Sequence, residues 1–268
     1  MSSDVVGQLE ETWSSIDTLL AGLGPEQWTL PTSCPGWTVR DQVAHLVGTE
    51  SALAGRPAPE PAADERPHVR NDVGRSNEAW IDQFREATPR EMLAAYREVT
   101  AARLERLRGM TDADFAAESW TPIGPGTYGR FMQIRVFDNW VHEQDIRDAI
   151  GQPGHDTGPA AERSFDEMAG AMGYTVGKRA QAPDGSSVTI DLTGPVRRGI
   201  HVAVAGRAKV VDHLDAPATA TLVMSSGTFV RLACGRVDPA GEIAAGRVVV
   251  EGDQALGDRV ARHLAFTI

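Results

Sequence analysis

Lysine is nearly missing from this chain. Of its 26 basic residues only Lys178 and Lys209 are lysines, an arginine bias that points to a GC-rich genome and says nothing about mechanism. Cysteine is equally scarce, with Cys34 and Cys234 the only two in 268 residues. Two cysteines so far apart exclude a disulfide framework and a multi-cysteine zinc site, so reduced thiols in a cytoplasmic protein are expected. No apolar run approaches the length of a membrane span. The start, MSSDVVGQLEETW, has acidic residues where a secretory leader has basic ones, so no leader is expected. Positive charge is in deficit as well: the net charge is -11, which argues against nucleic acid or an anionic membrane as a partner. What remains, 41% hydrophobic and 24% charged residues, fits a globular protein large enough for two ordinary domains.

The pattern changes once along the chain. Residues 1–155 read as helical. DVVGQLEETWSSIDTLLAGL (4–23) carries apolar residues at helical spacing and ends at glycine. A second helix starts with the capping box TVRD, Thr38 as N-cap and Asp41 at N3, and runs to about Gly55. Four prolines (Pro57, Pro59, Pro61, Pro67) exclude regular structure over much of 56–70, which reads as a mobile surface loop near a site mouth. Helix resumes over about 73–109, broken by the TPRE box at 88–91. Residues 111–126 read as loop, and a long helix spans about 128–150. After a further helical stretch at 158–180, the segments SSVTIDLTG, GIHVAVAG, ATLVMS and GRVVVEG alternate as strands. GTFVRLACG and DQALGDRVARHLA read as helices. Helices first and strands later predict an all-α domain at 1–155 and an α+β domain at 156–268.

The 128–150 helix carries the chemistry. Residues three or four apart share a helical face, so Phe131, Ile134, Asp138, Val141, His142, Asp145 and Ala149 form one stripe. Its ends are apolar and its middle is acidic and histidine-bearing. Asp138 and His142, at i and i+4, can offer an oxygen and a nitrogen to one cation, or form a surface ion pair. Asp145, one turn on, is placed to orient a ligand, to bind directly, or to pair with Arg135 or Arg147. In the second helix, Val39, Val43, Leu46 and Leu53 centre the apolar stripe. His45 lies to one side of it, as a flank residue would. Glu50 lies nearly on it, so it needs a buried partner such as Arg135 or a metal-bound group. Trp37 and Trp140 read as core packing, Cys34 as a small buried residue, and His68 as a solvated loop histidine. His155, His201, His213 and His263 show no partner spacing.

CPGWTVRDQVAHL together with VFDNWVHEQDIRDAIG resembles the mycothiol-dependent maleylpyruvate isomerase family, a branch of the DinB-like four-helix metalloproteins. The C-terminal stretch TATLVMSSGTFVRLACGRVDP…GRVVVEGD is similar to the sterol-carrier-like α+β domain that follows the bundle in many members. The resemblance implies a divalent metal, most commonly zinc, held by His45, Asp138 and His142. The family's acid is typically glutamate; Asp138 is one methylene shorter, which leaves metal preference open. Three protein ligands leave a position for a small-molecule thiol, mycothiol, as cosubstrate. Asp145 is then expected to orient His142 without binding the metal itself. A cationic residue of the C-terminal domain is expected to hold a substrate carboxylate, with Arg231 preferred over Arg236 and Arg247.

The implied function is a metal- and mycothiol-dependent isomerase or S-transferase acting on a small, anionic electrophile. A non-catalytic ligand binder with a structural metal and a metal-dependent hydrolase are the alternatives. Nothing in the sequence distinguishes a monomer from a dimer.

Overall fold

A computed structural model describes residues 2–61 and 66–267. It divides into two units, Met1–His155 and Asp156–Ile268. Among the described residues no helix is long and apolar enough to cross a membrane.

The first unit is a helical bundle. Helix α1 (Ser2–Ala21) packs against α4 (Pro89–Arg108) and α6 (Tyr128–Ile150), and α2 (Val39–Leu53) packs against the same two, closing a ring of four. Leu9, Ile16 and Leu20 from α1, Leu46 from α2, Met92 and Tyr96 from α4, and Trp140 and Ile146 from α6 fill its interior. Local chemistry sets the ends. Thr38 accepts the backbone N–H of Asp41, whose carboxylate takes the Thr38 N–H at 2.8 Å. Thr88 and Glu91 repeat the box on α4, with Pro89 in the first turn. Thr127 caps α6, and Gly151 ends it at φ 66°, in the left-handed region glycine tolerates.

Helix α3 (Asp72–Gln83) lies against α2. The approach is close because residue 48 is glycine: a Cβ there would fall 2.4 Å from Cγ of Trp80. With α3, α4 and α6 around it, α2 is buried on most of its circumference. That is why its apolar periodicity is a poor guide to which side chains face inward.

Residues 111–126 are not plain loop. They form α5 (Asp112–Ala116) and a hairpin of β1 (Glu118–Thr121) and β2 (Gly124–Thr127). Gly124, at φ 113°, lets so short a connection reverse the chain. Both strands are four residues long, too short for an alternating pattern to stand out against Pro122, Pro125, Gly124 and Gly126.

The second unit is α+β. Helix α7 (Pro159–Tyr174) is extended by a π-type turn (Thr175–Arg179). A five-stranded sheet follows in the order β5-β4-β3-β6-β7, from β3 (Ser187–Thr193), β4 (Arg198–Ala205), β5 (Arg207–Val211), β6 (Ala220–Ser225) and β7 (Val248–Gly252). Strands β3 and β6 pair parallel, and all other pairs are antiparallel. Strand β5 and α9 (Pro239–Ala244) lack patterns that mark them in sequence, whereas α8 (Ser226–Ala233) and α10 (Gln254–Arg262) fall where expected. Val188, Ile190 and Leu192 on β3 and Leu222 and Met224 on β6 form the buried face, and Phe165 of α7 stacks on Phe229 of α8.

Candidate metal centre

Asp138 and His142 face α2 from one turn of α6, and His45 faces them from α2. His45 Nε2 lies 3.2 Å from one Asp138 carboxylate oxygen, and His142 Nε2 lies 3.7 Å from the other. The two imidazoles meet edge to face with centroids 4.7 Å apart. One donor atom from each residue can be chosen so that all three lie within 4.8 Å of one another. Bond lengths of about 2.0–2.2 Å to a tetrahedral ion put neighbouring N and O donors roughly 3.3–3.6 Å apart. These residues therefore fit a divalent cation with little movement. The Nδ1 of His45 is buried and makes no hydrogen bond.

The charge state suits the same purpose. Burial lowers the pKa of His45, against the opposing pull of Asp138, so the ring is held neutral, the form that ligates. Burial would raise Asp138, but the Arg135 charge, with the hydrogen bond to His45, outweighs it and holds the carboxyl well below its usual range. Arg135 contacts Asp138 directly through Nη1. Its Nε donates to Glu50 Oε1 at 2.9 Å, and Arg103 Nε donates to Glu50 Oε2 at 2.9 Å. Arg103 in turn reaches the Tyr128 hydroxyl at 2.9 Å. Glu50 thus has the buried arginine partner its position demands, plus a second, Arg103, that no local pattern indicates. Asp145 accepts from the Cys34 thiol at 3.3 Å and lies 3.3 Å from Nδ1 of His142.

Trp37 is not simple core packing. It is half-buried, and its ring lies 5.2 Å from His45 and 5.8 Å from His142, centroid to centroid. Its Nε1 donates to Glu78 Oε1 at 2.7 Å, and the same oxygen meets His68 Nε2 at 2.8 Å. Arg66 closes on Glu78 from the other oxygen and on Asp82 at 2.6 Å. Burial works to raise Glu78, but these hydrogen bonds leave it below its usual value. His68 is therefore docked, contrary to the solvated loop histidine expected; the part of the loop reading that falls on 62–65 lies outside the described residues. A polar cleft of about 430 Å³, lined by Gly36, Asp41, Arg66, His68 and Glu78, opens beside this cluster.

His155 has partners that sequence spacing did not suggest. Its Nδ1 lies 2.7 Å from Glu143 and its Nε2 3.2 Å from Glu11. In the second unit, Arg231 is half-buried on α8 and contributes to holding Glu242 below its usual value. Arg247 is committed to Glu242 by two hydrogen bonds of 2.7 Å, and Arg236 donates to the Cys234 carbonyl at 2.9 Å.

Residues 9–147 match the family model of the mycothiol maleylpyruvate isomerase N-terminal domain, and residues 162–259 match that of the C-terminal domain of the same enzymes. The chain belongs to the mycothiol maleylpyruvate isomerase family. His45, Asp138, His142 and Asp145 fall within the first match and Arg231 within the second. A crystal structure of the mycothiol-dependent maleylpyruvate isomerase shares the fold, with a TM-score of 0.60 and 17% identity over 94% of this chain and 93% of that one. A point variant of that enzyme gives 0.59 at 16% identity, covering 94% and 93%. Uncharacterized proteins from two strains of Mycobacterium tuberculosis are 28% identical over 149 residues, 54% of this chain and 56% of theirs. The chain thus spans about half the length of the curated relatives it matches.

Proposed function

We propose that this protein is a mycothiol-dependent enzyme that uses a divalent cation, zinc by the family resemblance, to activate the thiol for addition to a small anionic electrophile. The observation that carries the reading is the set of three donors from two helices, His45 against the Asp138/His142 pair, with ligand atoms within 4.8 Å of one another. Such an ion supplies a lowered thiol pKa, so that thiolate is present at neutral pH. The chain's own residues do the rest. Asp138 stays ionised and His45 neutral, so both are ready ligands. Asp145 lies 3.3 Å from the far nitrogen of His142, the carboxylate placed to orient that ring. Trp37, held by Glu78, covers both imidazoles and limits water. Arg231 is the cation that the family resemblance puts forward for the substrate carboxylate.

In this reading the thiolate sulfur adds to a carbon–carbon double bond. Rotation about the resulting single bond and elimination restore the double bond in its other geometry and return the thiolate. Retention and protonation of the adduct instead makes the reaction an S-transfer. Metal analysis and turnover of a maleyl-type acid test the proposal together. Metal content should be near stoichiometric and fall sharply in His45→Ala and His142→Ala, and turnover should require the thiol. Full metal retention in both variants removes the ligand assignment, and turnover without thiol points to hydrolysis instead.

A further inference from the structure

His142 has two ring nitrogens, and each faces a different set of donors. Nε2 faces Asp138 and His45. Nδ1 faces Cys34 and Asp145, and these three residues also bring candidate ligand atoms within 4.8 Å of one another. All three are buried. Cys34 is placed by the turn that leads into α2, where the Trp37 N–H closes on the Cys34 carbonyl at 3.1 Å. Asp145 is placed by α6, one turn beyond His142. The Cys34 Sγ to Asp145 Oδ2 and His142 Nδ1 to Asp145 Oδ2 distances are both 3.3 Å. Tetrahedral zinc with bonds of about 2.0–2.3 Å separates such donors by roughly 3.3–3.6 Å.

A hydrogen-bonded chain from Cys34 through Asp145 to His142 is the simpler account, but it is incomplete at its last link. Nδ1 of His142 is buried and makes no hydrogen bond, although Asp145 lies at ion-pair distance. The ring is near the carboxylate without being aligned to donate to it. A cation needs only the lone pair to point into the shared space. Sulfur, imidazole nitrogen and carboxylate oxygen together select a soft or borderline ion.

We propose that Cys34, Asp145 and Nδ1 of His142 form a second cation site, back to back with the first, for a divalent ion of the zinc, cobalt or cadmium type. On binding, the Cys34 thiol proton and any proton on Nδ1 leave to solvent. The thiolate and Asp145 then supply two negative charges to the ion. With both sites filled, His142 bridges the two ions as an imidazolate. The second ion binds more weakly than the first, because the shared ring has already given electron density to its partner.

Cobalt titration of the metal-stripped full chain tests this, with chain folding followed by circular dichroism. The first equivalent should bring visible d–d bands, and the second a near-ultraviolet sulfur-to-cobalt charge-transfer band. Cys34→Ser should lose the near-ultraviolet band and one equivalent while keeping the first. His45→Ala should keep the sulfur band, so failure of the His45 site and failure of this one are read separately. Asp145→Asn, which retains the thiol, should weaken the second equivalent at least tenfold. Saturation at one equivalent in the wild-type chain overturns the proposal, and so does a sulfur band that survives Cys34→Ser, which would assign it to Cys234.

Discussion

At the scale of single residues, the chemistry near the candidate centre rests on a few buried charges. Glu50 is 1% exposed and sits between Arg103 at 0% and Arg135 at 3%. Removing one member of such a network leaves the others uncompensated, typically at a cost of about 3–5 kcal/mol. Glu50→Gln should lower stability by an amount in that range, read from the midpoint of urea unfolding. It should also leave Arg135 leaning more heavily on Asp138, whose oxygen it already contacts. Asp145→Asn makes a different kind of change. It keeps the shape but weakens the group that orients His142, so metal affinity in competition with a chelator should fall by about 10–100-fold. Folding should be little altered. An unchanged affinity would show that Asp145 does not position the ligand.

At the scale of elements, α2 and the turn before it decide where His45 points. The Thr38 and Asp41 side chains satisfy each other's backbone N–H groups. Thr38→Ala should cost about 1 kcal/mol, seen as a lower melting temperature. Gly36 has φ 81°, and a Cβ there would lie 2.7 Å from Cε1 of His68. Gly36→Ala should therefore cost more than about 1 kcal/mol and displace His68 from Glu78. A double-mutant cycle checks the cause. In a His68→Ala background the same change should cost less, because the ring it strikes is gone. The capping boxes on α2 and α4 were legible in sequence because a cap is a contact between residues three apart. The β1–β2 hairpin and β5 were not, because short strands are defined by a partner elsewhere in the chain.

At the scale of the whole molecule, His155 closes the first unit by joining Glu143 of α6 to Glu11 of α1. Glu143 is fully buried and also takes Ser15 at 2.6 Å and Arg147 at 2.8 Å. The hydrogen bond to Glu143 raises His155 above the usual histidine value near 6.5, against burial, which works to lower it. A folded-state value above the unfolded one means that charged His155 stabilises the fold in full below pH 6.5 or so. That contribution is lost as pH rises through the raised value. Unfolding free energy measured against pH should show wild type more stable than His155→Gln in mild acid, with the gap closing on the alkaline side. A gap independent of pH would assign the effect to packing and not to charge.

What the sequence by itself determined is local. Helical geometry puts Asp138 and His142 on one face whatever surrounds them. Threonine caps and glycine stops mark the ends of α2, α4 and α6, and an acid at position 50 on an apolar stripe requires a buried cation. Only the tertiary structure decided the rest. His45 joins the pair across 93 positions because α2 is enclosed on most sides, which erases the single stripe that periodicity relies on. Trp37 lies over the histidines and Cys34 beside Asp145 because one turn sets both against α6. Helix spacing is fixed by backbone hydrogen bonds within a few residues, whereas the company each side chain keeps is fixed by how whole helices pack.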